Sequence, residues 1–261
     1  MASAETLRAG GSGGPSAVVR VLAEAFNKAY PADTVQVTPA LGTLGALKAL
    51  DARVLDVALA SRPLSSDEIN KGKLSVFEIA RTPFVMAVAS TNALNDLTLP
   101  ALTQMLEKPD AAWPDGSRVR VVLRPRDDVD TGIIMSFSPG VAKAMQTALA
   151  RSGNFVAATD DDAVAAIARL PGAIGGVTLG QMLTEKRPLK VLTLAGKAPT
   201  VEAIKSGAYP YYRRHFLAIR ADASSAVRRF VAFVQTTDGR RLLDAAGCWS
   251  GPFNDSKNSK D

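Results

Sequence analysis

Thiol and imidazole side chains are nearly missing from this chain, which has one cysteine, Cys248, and one histidine, His215, among 261 residues. A lone cysteine cannot close an intramolecular disulfide. One thiol and one imidazole cannot supply the ligands of a usual zinc site. Long apolar runs are missing too, since no stretch reaches the ~20 residues that a helix needs to span a bilayer. The glycines at 10–14 are not followed by Gly-Lys-Ser/Thr, so they are not a nucleotide-phosphate loop, and they lack the spacing of a dinucleotide fingerprint. Basic residues exceed acidic ones, giving a formal net charge of +6. They occur as scattered pairs, such as Arg213-Arg214, Arg228-Arg229 and Arg240-Arg241. A dedicated nucleic-acid surface would gather them into a patch, so the excess implies at most a general attraction for anions. No internal repeat is visible.

Strand and helix patterns alternate through most of the chain. A strand over 6–9 leads into Gly10-Gly11-Ser12-Gly13-Gly14-Pro15. The spacing of Val18, Val19, Leu22, Ala25 and Phe26 predicts a helix over 16–30. A Val- and Thr-rich strand over 34–39, a glycine turn at 42–45, a helix over 44–52 and an apolar strand over 56–60 follow. Residues 78–90, centred on Pro83 to Val88, read as a strand pair or a crossing segment. The middle predicts helices over 99–106, 132–137, 141–150 and 160–169, with strands over 119–123, 173–178 and 191–194. The aspartates that open the 160–169 helix suit the positive end of its dipole. A return strand over 216–219 and helices over 225–235 and 239–246 close the pattern, and the polar stretch 254–261 is expected to fray. Such alternation predicts a largely parallel sheet with helices on its faces.

Three loops join a strand end to a helix start: 12–15, 42–45 and 124–132. In an open parallel sheet these loops gather at the carboxyl ends of the strands, where ligands bind. Each helix start offers unpaired amides and partial positive charge, which suits an anion. Ser12 and Thr43 add hydroxyl donors, and Arg124 or Arg126 could grip an oxyanion with two prongs. The aspartates at 127, 128 and 130 leave three readings open: a salt-linked turn, a cation site or part of a ligand shell. They lack the glycine and glutamate spacing of a calcium loop. A serine triad would have to use His215, which sits in an arginine-rich run and reads as a strand-surface or hinge residue. A hydrolase of phosphate esters would rest on Asp128.

The order of these segments resembles the phosphate-binding proteins of bacterial ABC importers, in the type II periplasmic-binding-protein superfamily. Gly10 to Pro15 resembles the family's first phosphate loop, and Leu41-Gly42-Thr43-Leu44-Gly45-Ala46 its Gly-Ser-Ser-Gly loop. Asp56 to Leu64 resembles Asp-Phe-Gly-Ala-Ser-Asp-x-Pro-Leu, and Arg124 to Thr131 stands in place of Arg-x-x-x-Ser-Gly-Thr. Gly172 to Val177 and Tyr209-Pro210 match later structural motifs. The chain departs from the family at Ser61, which replaces the aspartate that accepts the proton of hydrogen phosphate, and in placing Asp128 and Asp130 in the Ser-Gly-Thr segment.

The resemblance implies a two-lobed α/β fold, with mixed, mostly parallel sheets, flanking helices and a hinge of crossing strands. One lobe takes 1–87 and 213–261, the other 88–212. It implies no enzyme, cofactor or metal, but a periplasmic monomer that captures a small oxyanion, phosphate favoured, for an ABC permease. The Ala2-Ser3-Ala4 start is consistent with a secreted chain. A sensor or regulatory module of the same fold, with another small ligand, is the alternative. The expected ligand-binding residues are Ser12, Gly13, Gly14, Thr43, Ser61, Arg124, Asp128, Asp130 and Thr131, with Arg126 in reserve.

Overall fold

The computed structural model describes residues 4–253; the polar stretch 254–261, and residues 1–3 of the Ala2-Ser3-Ala4 start, lie outside them. The first half-sheet forms around strand β1 (Glu5–Gly11), parallel to β2 (Asp33–Val37) and β3 (Val57–Ala60). Helix α1 (Gly13–Ala29) connects β1 to β2, and α2 (Gly42–Asp51) connects β2 to β3. In α1, Val18, Val19, Leu22, Ala23 and Phe26 form the stripe buried against the sheet. Phe26 also meets Phe230 edge-on, with ring centroids 5.2 Å apart. That contact ties α1 to α10 (Ser225–Gln235), which α11 (Thr237–Ala245) follows. The short α3 (Ser66–Gly72) is closed by a capping box between Ser65 and Glu68.

The segment over 78–90 is part of one long strand, β4 (Leu74–Ala89). Its first part pairs antiparallel with β10 (Tyr212–Arg220), from Leu74↔Arg220 to Pro83↔Tyr212. From Phe84 to Val88 it pairs instead with β7 (Ala173–Thr178). The partner changes at Pro83, which has no amide to donate to a ladder, and the Phe84 amide bonds the Tyr211 carbonyl. Beyond the change, β6 (Arg120–Val122) runs parallel to β7, and β8 (Leu189–Val191) pairs with β4. The order is β2-β1-β3-β10-β4-β7-β6, with β8 attached to β4. A separate pair joins β5 (Asp96–Leu97) to β9 (Thr193–Leu194). The remaining helices are α4 (Leu99–Glu107), α5 (Val129–Met135), α6 (Pro139–Ala150), α7 (Asp160–Arg169), α8 (Leu179–Glu185) and α9 (Val201–Ser206).

This is a two-lobed, mixed α/β fold with helices on the sheet faces. Separate apolar cores sit around α1 and α10 and around α4 and α6. Within each half the sequential strands are parallel, and the antiparallel pairs belong to the long strands β4 and β10 that link the halves. The carboxyl ends of β1 and β3 and that of β6 therefore deliver their loops to a shared region.

The strand change is tightly packed. A Cβ on Gly176 would lie 2.1 Å from Cζ of the buried Phe84 ring. Gly176→Ala is expected to lower stability by about 1–3 kcal/mol through overpacking, read as a lower urea midpoint. Phe84→Leu in the same chain should recover part of that difference, and an unchanged midpoint in Gly176→Ala would refute the tight fit.

Candidate functional site

The structure brings the strand-end loops together around a cavity of about 350 Å³. From the first lobe come Ser12, Gly13, the 40–45 segment, Ser61 and Arg62; from the second come Arg124, Pro125, Asp127, Asp128, Val129 and the 158–160 segment. Six of the nine expected residues border this cavity: Ser12, Gly13, Thr43, Ser61, Arg124 and Asp128. Gly14, Asp130 and Thr131 do not. The Gly14 amide points to a carboxylate of its own chain, Asp130 is buried behind the cavity, and the Thr131 hydroxyl donates to the Pro125 carbonyl at 2.8 Å. Arg126 is exposed outside the cavity.

Local geometry explains each loop. Ser12 is held by its amide on the Leu59 carbonyl (2.9 Å), and α1 starts at Gly13, earlier than the apolar spacing predicts. Gly13 allows a close approach between lobes, because a Cβ there would lie 2.8 Å from both Asp160 Cβ and Asp161 Oδ1. Gly42 turns the chain into α2 with a φ of +68°, which glycine adopts freely. The α2 start has Leu41 as its N-cap, with no side-chain cap, so its first amides keep their donor capacity beside the cavity. The Thr43 hydroxyl accepts from the Ser61 amide at 3.3 Å and ties the 42–45 loop to the loop that follows β3. Arg62 is committed to Glu68 through two bonds of 2.9 and 2.7 Å.

Next to the cavity is a buried charge cluster whose key member is Asp160, read from sequence only as a helix-start residue. Thr159 is the true cap of α7, in a capping box with Asp162. That leaves the Asp160 carboxylate free to cross to the other lobe. Its Oδ2 accepts from the Ser12 hydroxyl and the Gly14 amide, both at 2.9 Å. Its Oδ1 lies 3.3 Å from Arg124 Nη2 and 3.6 Å from Arg213 Nη1. Arg124 also binds Asp128 at 2.7 Å and the Ala157 carbonyl at 3.0 Å. Arg213 bonds Asp130, and its Nη2 lies 3.4 Å from the Ser12 hydroxyl. Burial opposes charge on Asp160, but Arg213, Arg124 and the bonds from Gly14 and Ser12 outweigh it and hold the carboxyl down to about 2. Burial dominates at Asp130, and with Asp160 and Asp128 it outweighs the arginines and lifts that carboxyl to about 7.

His215 is fully buried, not on a strand surface, because its strand β10 lies between β3 and β4. Burial and the Arg213 charge push its imidazole down to about 3. Gly10 to Gly14 also spells the Gly-x-Ser-x-Gly pattern of a hydrolase elbow. The Ser12 hydroxyl, however, donates to Asp160, and neither His215 ring nitrogen has a hydrogen-bond partner. No nucleophile–base pair is assembled. No group of three or more potential metal-ligating side chains occurs among the described residues. Within the aspartate loop, Asp128 and Asp130 lie 2.7 and 3.8 Å from Arg124, which links them by charge. A larger hollow of about 550 Å³ lies elsewhere, between α8, the 191–193 segment and α9, and shares no residue with the strand-end loops.

A family model of the PBP superfamily domain matches residues 2–238. The chain belongs to this family. It is a family of binding domains, not of enzymes. No curated protein matches the sequence. Among solved structures, the PBP chain is similar to a candidate phosphate ABC transporter substrate-binding protein with bound phosphate from Clostridium perfringens, with 17% identity, 94% of this chain and 99% of that chain covered, and a TM-score of 0.75. An ABC-type phosphate transport receptor from Vibrio cholerae shares 20% identity over 94% and 100% of the two chains, with a TM-score of 0.62. The CcmR regulatory domain of Synechocystis PCC6803 in complex with 2-PG shares 16% identity over 88% and 95%, with a TM-score of 0.54. At these identities the likeness carries the fold.

Two of the shifted groups beside Arg213, His215 and Asp130, pull stability in opposite directions with pH. Native His215 stays neutral down to about 3, while the unfolded imidazole protonates below 6.5. Stability is therefore lost as pH falls through that window. Asp130, raised from 3.8 to about 7, keeps its proton in the native state and loses stability as pH rises between those values. His215→Gln is expected to flatten the acid limb of a Tm-against-pH curve between pH 6.5 and 3 relative to wild type. Parallel curves would count against a buried neutral imidazole.

Proposed function

We propose that this PBP domain is a solute-binding clamp that captures a small oxyanion between its lobes, with inorganic phosphate the first ligand to test. The observation that carries this reading is the convergence of loops distant in sequence on one cavity of about 350 Å³, with the side-chain-uncapped start of α2 at its wall. Fixed amides at a helix start hold an anion at little cost in freedom. Thr43, Ser61 and Arg124 supply the side-chain donors. Gly14, Asp130 and Thr131 act from behind, by setting the positions of Asp160, Arg213 and the 124–125 backbone. The jaws are residues 1–87 with 213–261, and 88–212. Closure turns on the two crossing strands.

In this reading the protein is a periplasmic monomer that delivers its ligand to an ABC permease and has no nucleic-acid partner. The phosphate-bound relative from Clostridium perfringens supports the ligand class. A second reading, a regulatory module that senses a small organic anion, is favoured by the likeness to the CcmR regulatory domain with its bound 2-PG.

Thermal-shift titration with phosphate, sulfate, molybdate and tungstate tests the oxyanion reading, because a ligand bound to the native state raises Tm. At least one anion is expected to do so, and no response to any of the four would refute it. Arg124→Ala is expected to weaken the responding anion by at least about tenfold, ~1.4 kcal/mol, measured against the variant's own lower baseline.

A further inference from the structure

The Asp160 carboxylate has the environment of a bound oxyanion. A hydroxyl (Ser12) and a helix-start amide (Gly14) donate to one oxygen, and two guanidinium groups (Arg124 and Arg213) flank the other. Donors of this kind recognise small anions. Here they come from both lobes, and the group they hold is part of the chain. Asp160 is 6% exposed, so its charge is satisfied by these partners and little by water. The space that glycine leaves at position 13 is taken by Asp160 Cβ, which would lie 2.8 Å from an added Cβ.

We propose that Asp160 is a specificity-determining residue that acts as a tethered anion, occupying the subsite at the start of α1 and excluding inorganic dianions from it. The inference rests on the cleft reading above and sharpens it. A free oxyanion reaches this protein through the α2 side of the cavity, and gains the α1 donors only by displacing Asp160. Two features of the site act against a dianion that enters: the space beside Ser12 is filled, and the negative charge is already there. Displacing Asp160 also strands a buried carboxylate, which is strongly unfavourable. A ligand with a single negative charge and a neutral remainder is the class this arrangement admits most easily.

Calorimetric titration of inorganic phosphate into the full chain separates the two effects. Asp160→Ala removes both charge and volume, and is expected to bind phosphate at least about tenfold more tightly than wild type, ~1.4 kcal/mol. Asp160→Asn removes the charge and keeps the volume, so its affinity should fall between the two. If Asp160→Ala binds phosphate no more tightly than wild type, Asp160 is not a competitor and the inference fails, while a wild-type response to anions leaves the cleft reading standing. If neither wild type nor variant binds phosphate or sulfate, both fall. Should Asp160→Ala not fold, Asp160→Asn decides alone, and an affinity equal to or below that of wild type overturns the proposal.

Discussion

A buried carboxylate is bonded across the gap between the two lobes. Asp160 starts a helix of the second lobe, yet its oxygens are bonded by the Ser12 hydroxyl and the Gly14 amide of the first. Arg124 and Arg213 flank the same group. None of these charges is tolerable alone in the interior, because an unpaired buried ion costs several kcal/mol. Together they make a closed set in which each charge is the condition for burying the others. The close approach of the loops and the lack of a side chain at Gly13 follow from that requirement.

The sheet makes this arrangement possible. Parallel strands send all their following loops to one end, so β1 and β3 deliver Ser12 and Ser61 to the same edge. The long strand β4 carries the chain across, changing partner at Pro83 from β10 to β7. Its second half brings β7 and β6, and with them the 124–129 loop, to face the first group. A break at Pro83 would therefore alter the site without touching any residue that lines it.

Much of the fold could be read from residue patterns. The apolar spacing in α1, the aspartates that open α7 and the glycine turns before α1 and α2 are local signals, and local signals survive without knowledge of the tertiary structure. Helices α3, α8 and α9 were less legible, since elements of six or seven residues carry barely two turns of periodicity. The convergence of residues 12, 43, 61, 124 and 128 was reachable through strand-end logic and a family resemblance. The role of Asp160 was not, because it lies 148 positions from Ser12 and sits in an Asp-Asp-Asp run that any helix start would welcome. Only the capping box between Thr159 and Asp162 reveals that Asp160 is not needed as a cap. His215 was misjudged, and Arg213 passed over, for a related reason. A basic run looks exposed, but β10 is an interior strand and turns alternate members inward.

The internal carboxylate also changes what ligand binding can achieve. In a clamp that closes only around its guest, contacts from both lobes favour the closed state through the ligand alone. Here Asp160 already supplies contacts across the same gap. A ligand that replaces it gains only the difference between its own bonds to Ser12, Gly14, Arg124 and Arg213 and those it breaks. A ligand that binds beside it keeps the lobe contacts intact and adds the amides of α2 to them. The second route retains the buried ion set, while the first must dismantle it. On the proposed reading, the wall formed by Leu41, Gly42, Thr43 and Leu44, with its glycine turn and a helix start that no side chain caps, is therefore where a ligand adds contacts without displacing Asp160.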